Sequence, residues 1–380
     1  MSILNQIGSL GGYVVPFIFV LSLVVFFHEL GHFLVGRWCG VKVDAFSIGF
    51  GPELFGFCDR HGTRWRVALL PLGGYVKFHG DANAASVSDP TAVLTMPAEE
   101  LKVSFFAQPV WKRAAIVAAG PIANFILAVV IFSGLFYLYG RPILPPRVEA
   151  VRVGEPAALA GFQSGDLVIS IDGRQIDHWA DMQRIIQVSA EIPLSVVVRR
   201  ANQDVSLVVT PKLQVTQTPF GKNRIGLIGL EASRNPEDWK TQSFSVPQSI
   251  FEGAKETVFV IDRTLGFFAD LFRGKQKLDQ ISGPIGMSYV AGEAAKISFS
   301  VLVNLIGLVS VSIGFLNLMP IPVLDGGHLF FYILEALKGR PVDEKWQEVG
   351  FRFGFILLGG LMVFTVVNDI AGRFGLDLWG

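Results

Sequence analysis

The sequence predicts a polytopic α-helical membrane protein with four transmembrane helices, a β element between the first two, and an external α+β domain between the second and third. Three observations carry that class. Of 380 residues, 51% are hydrophobic and only 17% charged, with 32 phenylalanines, more apolar material than a soluble core needs. That material is gathered into four runs, roughly Val14–Gly36, Ala114–Tyr139, Phe299–Leu318 and Phe353–Ile370, each near the ~20 residues that cross ~30 Å of hydrocarbon. Lysine and arginine, finally, sit on one side of these runs. Formal net charge is zero, so no basic field argues for nucleic acid. The two cysteines, Cys39 and Cys58, imply no disulfide framework.

The first run does not read as a cleaved signal peptide. No Lys or Arg precedes it and no small-residue cleavage site follows it. Arg37, Lys42, Arg60, Arg64, Arg66 and Lys77 do follow, and Lys112 and Arg113 lie just before the second run. The positive-inside rule therefore makes the first loop cytoplasmic and the N-terminus external. The second helix leads out, the third returns, and Lys338, Arg340, Lys345 and Arg352 mark the inside again. The segment from Arg141 to about Ser298 is then external, as is the C-terminus. Both cysteines face a reducing compartment in this topology, which disfavours their pairing.

Between the first two helices, "VKVDAFSIGFGPELFGF" and "RWRVALLPLGGYVKFHG" are β-branched and aromatic stretches joined by a turn at Asp59–Gly62. They predict a hydrophobic hairpin that dips into the bilayer against protein; a small cytoplasmic hairpin is the alternative. Ala82–Glu100 is polar and rich in small residues, and reads as a loop. In the external segment, "RVEAVRVGEPAALAGFQSGDLVISIDGRQI" shows short alternations broken by Gly-Asp and Asp-Gly turns. "WADMQRIIQV" has helical spacing, and "PLSVVVRR" and "DVSLVVTPK" read as strands. Together they make a small α+β or barrel-like module over about 146–232. Beyond it, "SIFEGAKETVFVIDRTLGFFADLF" mixes apolar and charged residues too closely for a span, and predicts an amphipathic helix along the outer membrane surface; a helix packed on the β-rich domain is the alternative. The domains expected are 1–140, 146–232, 233–298 and 299–380.

The first helix carries "HELGH" at His28–His32. Histidines at i and i+4 share one helix face and can share a metal, while Glu29 lies about 100° round the helix. Neutral imidazoles suit Zn²⁺, and an unligated carboxylate can take a proton from a water beside it. In an apolar span a carboxylate costs ~2.5–3.5 kcal/mol even on the lenient insertion scale, so function is the default explanation. A third ligand is required, with a fourth position left open. Asp325, in "NLMPIPVLDGGHL" after the third helix, is the candidate: Pro320 and Pro322 break the helix there, and Gly326 and Gly327 let the chain bend. Asp369 competes, but it lies towards the opposite face from His32. His328, three residues after Asp325, would close the site as a fourth ligand and is read as a packing or supporting residue. Asn124 in its apolar helix needs a partner, either the third helix near Asn317 or a purely structural hydrogen bond.

These motifs, with "GFGPELF" at Gly49–Phe55, "LPLGGYVKF" at Leu70–Phe78 and "GPIANF" at Gly120–Phe125, resemble the site-2 protease family of intramembrane zinc metalloproteases, closest to its bacterial RseP-type branch. The resemblance implies that His28, His32 and Asp325 bind Zn²⁺ and that Glu29 is the general base. It implies that Gly49–Lys77 forms a membrane-embedded β element pairing with an extended substrate, with Ile48 and Val76 as test positions because the exposed edge is not readable. It implies that Asn317 holds the substrate main chain, and Asn124 is grouped with it. The external module resembles a single PDZ domain with Gly161, Phe162, Gly165 and Asp166 in the ligand-loop position, where the loop either binds a peptide or serves only as structural glue. The expected activity is regulated intramembrane proteolysis of single-pass proteins, such as a trimmed anti-sigma factor or remnant signal peptides, in a bacterial inner membrane. The alternatives are a PDZ-bearing scaffold with structural zinc, which would have no use for Glu29, and a metal transporter, for which no second polar helix lines a path.

Overall fold

The structure, a computed structural model, describes residues 3–80, 96–218, 221–233, 240–273 and 282–374. It divides into one unit of Met1–Leu135 with Gln248–Gly380 and a second of Phe136–Pro247. The chain begins with α1 (Ile3–Trp38), then the antiparallel strands β1 (Val43–Cys58) and β2 (Arg64–Phe78). The turn falls where the sequence places it: Asp59 accepts the N–H groups of His61 and Thr63 at 2.9 and 3.0 Å, and Gly62 takes φ +83°. Both strands bend. Val43–Ile48 matches Gly74–Phe78, Glu53–Cys58 matches Arg64–Ala68, and Ala45–Ile48 also matches Arg64–Val67. Ile48 is therefore paired on both sides, while Gly74–Phe78 forms an edge. Phe46 fixes the sheet to α1 by packing on Phe26 and Phe33 at ring distances of 5.7 and 5.6 Å, and stacks on Trp65 of β2 at 4.4 Å. The far half is bare, with Leu54, Phe55, Phe57, Leu69 and Leu70 all exposed.

Of the expected loop Ala82–Glu100, residues 82–95 lie outside the described residues, and its end enters the short α2 (Ala98–Val103). Next comes α3 (Val110–Tyr139), with Pro121 inside it.

The second unit contains β3 (Arg141–Ile143), β4 (Ala150–Val151), α4 (Pro156–Leu159), β5 (Leu167–Ile171), β6 (Arg174–Gln175), α5 (Trp179–Val188), β7 (Leu194–Arg200) and β8 (Gln203–Val209). It continues with β9 (Lys212–Thr218), β10 (Gly221–Leu227), β11 (Leu230–Glu231) and β12 (Lys240–Gln242). One sheet runs β6-β5-β7-β8; β9 pairs β10, β4 pairs β11, and β3 pairs β12. In β7, Leu194, Val196 and Val198 are buried in alternation, the period of a strand with one core face. They pack with Val168, Met182 and Ile186, so α5 closes this small core.

The first unit resumes with α6 (Val246–Phe272), α7 (Pro284–Ile297), α8 (Phe299–Asn317), α9 (Asp325–Lys338) and α10 (Glu344–Phe374). Among the described residues, four helices are long and apolar enough to span: Gly11–Trp38, Val110–Tyr139, Phe299–Asn317 and Lys345–Ala371. Small residues set their approach. A Cβ on Gly31 would strike the Ala119 carbonyl of α3, and one on Gly307 would lie 2.6 Å from the Phe132 ring. Val20 and Val24 of α1 pack with Leu302 and Ile306 of α8 and Ala291 of α7.

The lie of α6 differs from the sequence expectation. Its Gly253 sits against Ser133 of α3, and its Phe268 ring is 6.3 Å from Phe315 of α8. On α8, Gly307 meets Phe132 and Gly314 meets Asn124, so Phe315 lies at the level of Asn124 and α6 descends beside the spanning helices. A glycine contact that no periodicity reveals draws it there.

Candidate metal centre and active site

Helix α1 places His28 and His32 one turn apart, both buried, and α9 begins with Asp325 opposite them. The Nε2 atoms of the histidines are 3.3 Å apart, and Oδ2 of Asp325 is 3.1 Å from the first and 3.6 Å from the second. Bonds of 2.0–2.1 Å to a tetrahedral metal imply ligand separations of about 3.3 Å. The three atoms thus already sit at the edge length of such a tetrahedron, and among the described residues they form the one His/Cys/Asp/Glu group able to hold a metal. Oδ2 of Asp325 is buried with no described partner beyond the two Nε2 atoms, as an atom placed to share a cation with them would be. The donor set fits zinc.

The outer nitrogens are engaged. Nδ1 of His32 donates to the Ile116 carbonyl at 2.9 Å, which leaves its Nε2 free to ligate. Nδ1 of His28 is 3.3 Å from the Asn124 amide. With Nε2 on a metal, that Nδ1 carries a proton and needs an acceptor, and Oδ1 of Asn124 is otherwise without a partner. The amide turned to present Oδ1 satisfies both atoms. Ser310 of α8 donates to the Asn124 carbonyl at 2.8 Å, so the expected contact with the third spanning helix exists through Ser310 and Gly314, while the side chain serves His28.

Asp325 is fixed by the bend before it. A Cβ on Gly326 would strike the carbonyls of Leu318 and Met319, and one on Gly327 would lie 2.5 Å from the Ile321 carbonyl. Its place in the first turn of α9 also favours a negative charge. Farther along α9, Glu335 pairs with Arg113 of α3 at 2.6 Å, both side chains mostly buried, with the guanidinium over the Tyr332 ring.

Glu29 is outside the ligand group. It is half-buried and lines a cavity of about 210 Å³ with His28, His32, Asp325, Asn317 and Val76. The Val76 backbone N–H, on the edge segment of β2, faces its carboxylate. Asn317 reaches the cavity from the end of α8, and His328 lines it while its ring lies 5.2 Å from Phe351. Asp369 is occupied elsewhere: it accepts the N–H groups of Gly283 and Gly286 at 2.9 and 2.8 Å and so caps α7. Ile48, matched by Gly74 and Val67, presents no free edge.

The loop Gly161–Asp166 is built into its own unit. Phe162 belongs to the core, and Asp166 is wholly buried, bridged by Arg200 at 2.7 and 2.8 Å. The N–H groups of Gly161, Phe162, Gln163, Gly165 and Asp166 all bond within the unit. Burial pushes the Asp166 carboxyl up, but Arg200 and the Gln163 N–H outweigh it and hold the group below its ordinary range. In this structure the loop braces its own unit through these bonds.

Sequence reasoning gave no role to Gly120. A Cβ there would strike Nε2 of His32 and lie 2.9 Å from Cε1 of His28; the place of "GPIANF" beside the histidines was visible only as a motif.

Comparison with known proteins agrees with this chemistry. Residues 16–361 match the model of peptidase family M50. The chain is 46% identical over 375 residues to "Putative zinc metalloprotease Atu1380" of Agrobacterium fabrum, covering 98% of this chain and 100% of that protein. It is 44% identical to "Putative zinc metalloprotease R01501" of Rhizobium meliloti, covering 96% and 98%. To "Metalloprotease MmpA" of Caulobacter vibrioides it is 39% identical over 381 residues, covering 94% of each. With a zinc-compatible triad, a free glutamate beside it and four apolar helices around it, the chain belongs to peptidase family M50, the site-2 protease family, as a membrane metalloprotease.

Proposed function

We propose that this protein is an intramembrane zinc endopeptidase of the RseP-type branch with a single PDZ domain, cutting single-pass membrane proteins in or near their membrane segment. The observation that carries the reading is Glu29: a carboxylate beside, but outside, a three-ligand site in a cavity large enough for water and a peptide backbone. A structural zinc in a scaffold gives that carboxylate nothing to do. His32 lies six residues before the end of the apolar span Gly11–Trp38, about 9 Å at 1.5 Å per residue, which supports chemistry below the membrane surface.

Zinc bound by His28, His32 and Asp325 would polarise the scissile carbonyl and let a water ionise near neutral pH. Glu29 takes the proton of that water and returns it to the leaving amine. Asn317 offers an amide N–H to the substrate carbonyl or main chain. A helical substrate hides its amides, so it must unwind, and the edge Gly74–Phe78 can receive it as an added strand. The bare apolar end of the hairpin supports its lying in the bilayer. By the charge distribution, the centre faces the cytoplasmic side of a bacterial inner membrane, with both termini and the PDZ domain external. Trimmed anti-sigma factors and remnant signal peptides are the substrate classes of this reading, and regulated intramembrane proteolysis its context.

Purified protein should hold about one zinc per chain. Asp325→Ala should lose it, and Asp369→Ala should keep it. Glu29→Gln should keep zinc and abolish cleavage of a single-pass substrate. Cleavage surviving in Glu29→Gln would overturn the reading.

A further inference from the structure

We propose that Val323 is a specificity-determining residue, whose side chain walls the cavity so that the substrate residue beside the scissile bond must be small. The inference rests on the protease reading. Leu324 N–H donates to the Ile321 carbonyl at 3.1 Å, closing a turn with Pro322 second and Val323, at φ +88°, third. Such a type II turn asks for glycine at that third position. A β-branched residue there is strained, because its Cβ crowds the backbone at positive φ. Among the described residues the other non-glycines at positive φ are Asp172, Glu191, Ala201 and Asn202, none β-branched. Val323 is the outlier.

The surroundings hold the turn in place. A Cβ on Gly354 of α10 would strike the Pro322 carbonyl, and one on Gly327 would lie 2.7 Å from the Pro322 Cα. The valine adds nothing to the core in return: it is 39% exposed and belongs to none of the buried clusters among the described residues. What the residue does line is the cavity shared by Glu29, Asn317 and Asp325. Glycine would serve the turn better, and the chain uses glycine at Gly326 and Gly327 where a Cβ cannot fit. A local rule broken at a reactive site, with no return to the buried core, points to a role in that site.

Strain and bulk can be separated because they rank four residues differently. Tolerance of positive φ runs Gly, Asn, Ala, Val, and bulk runs Val, Asn, Ala, Gly. The full-length zinc-loaded protein and its Val323→Asn, Val323→Ala and Val323→Gly variants are given one single-pass membrane peptide carrying Ala or Leu beside the cut. The wild type should favour Ala over Leu. Val323→Ala and Val323→Gly should lower that ratio at least roughly tenfold, the low end of what one methylene in a pocket provides, while Val323→Asn stays near the wild type. Zinc content should hold throughout, and the melting temperature should rise most in Val323→Gly. A ratio unchanged across the series overturns the proposal, as does one in which Asn groups with Gly. A zinc-loaded wild type that cuts neither peptide overturns the protease reading itself, and this proposal with it.

Discussion

Nδ1 of His28 lies 3.3 Å from the Asn124 amide, while Nε2 of the same ring lies 3.1 Å from Asp325. One imidazole thus joins α1, α3 and α9, and the helix that orients the ring is different from the helix that supplies the third ligand. Asn124→Leu should weaken zinc binding about 10–100-fold, the usual cost of removing a partner behind a metal-binding histidine. Competition with a chelator measures it. Asn124→Asp, which keeps an acceptor, should retain most of the affinity.

Gly120 and Gly134 lie on the same helix and separate packing from propensity. Gly120→Ala drives a methyl into the two imidazoles; overpacking of this kind costs about 1–3 kcal/mol and should strip zinc. Gly134 has open space, so Gly134→Ala should be neutral or stabilising by up to about 1 kcal/mol. Metal analysis and thermal melts of both decide it, and equal zinc content in the two would contradict the close approach.

The Arg113–Glu335 pair ties α9 to α3 behind Asp325. Arg113→Met alone leaves a mostly buried carboxylate uncompensated and should destabilise by about 3–5 kcal/mol, whereas Arg113→Met with Glu335→Leu should recover most of that loss. Zinc affinity should fall and recover in parallel if the pair positions Asp325.

Proline substitution distinguishes the middle of the hairpin from its edge. Ile48 is paired on both sides, so Ile48→Pro should damage the sheet and lower expression. The Val76 N–H faces Glu29 rather than β1, so Val76→Pro should spare the fold and zinc yet slow cleavage. Normal rates in a well-expressed Val76→Pro would remove strand addition at this edge from the mechanism.

In the second unit, the folded state holds Asp166 ionised below its ordinary range. A depressed carboxyl contributes stability that is present above the unfolded pKa, ~3.9, and is lost as pH falls through the folded value. Amide exchange over Leu167–Ile171 should therefore accelerate on acidification, and Asp166→Asn should exchange fast already at neutral pH.

By itself the sequence determined the four spans, the hairpin with its Asp59 turn, the helix at Trp179–Val188, and His28 and His32 on one face of a helix with Glu29 beside it. Each depends on hydropathy, turn chemistry or helical spacing within a short stretch, and local physics settles such things before any packing. Flanking charge could rank Asp325 over Asp369, but it could not show that the two carboxylates do different work. That needed the fold, which brings α9 to the imidazoles and sends Asp369 to cap α7. Only packing revealed that Gly120 makes room for both histidines, that Gly253 draws α6 down beside α3, and that Asp166 is spent on Arg200. These are contacts between distant parts of the chain, set by where a missing Cβ or a buried charge lets two elements meet, and no short window of sequence contains both partners.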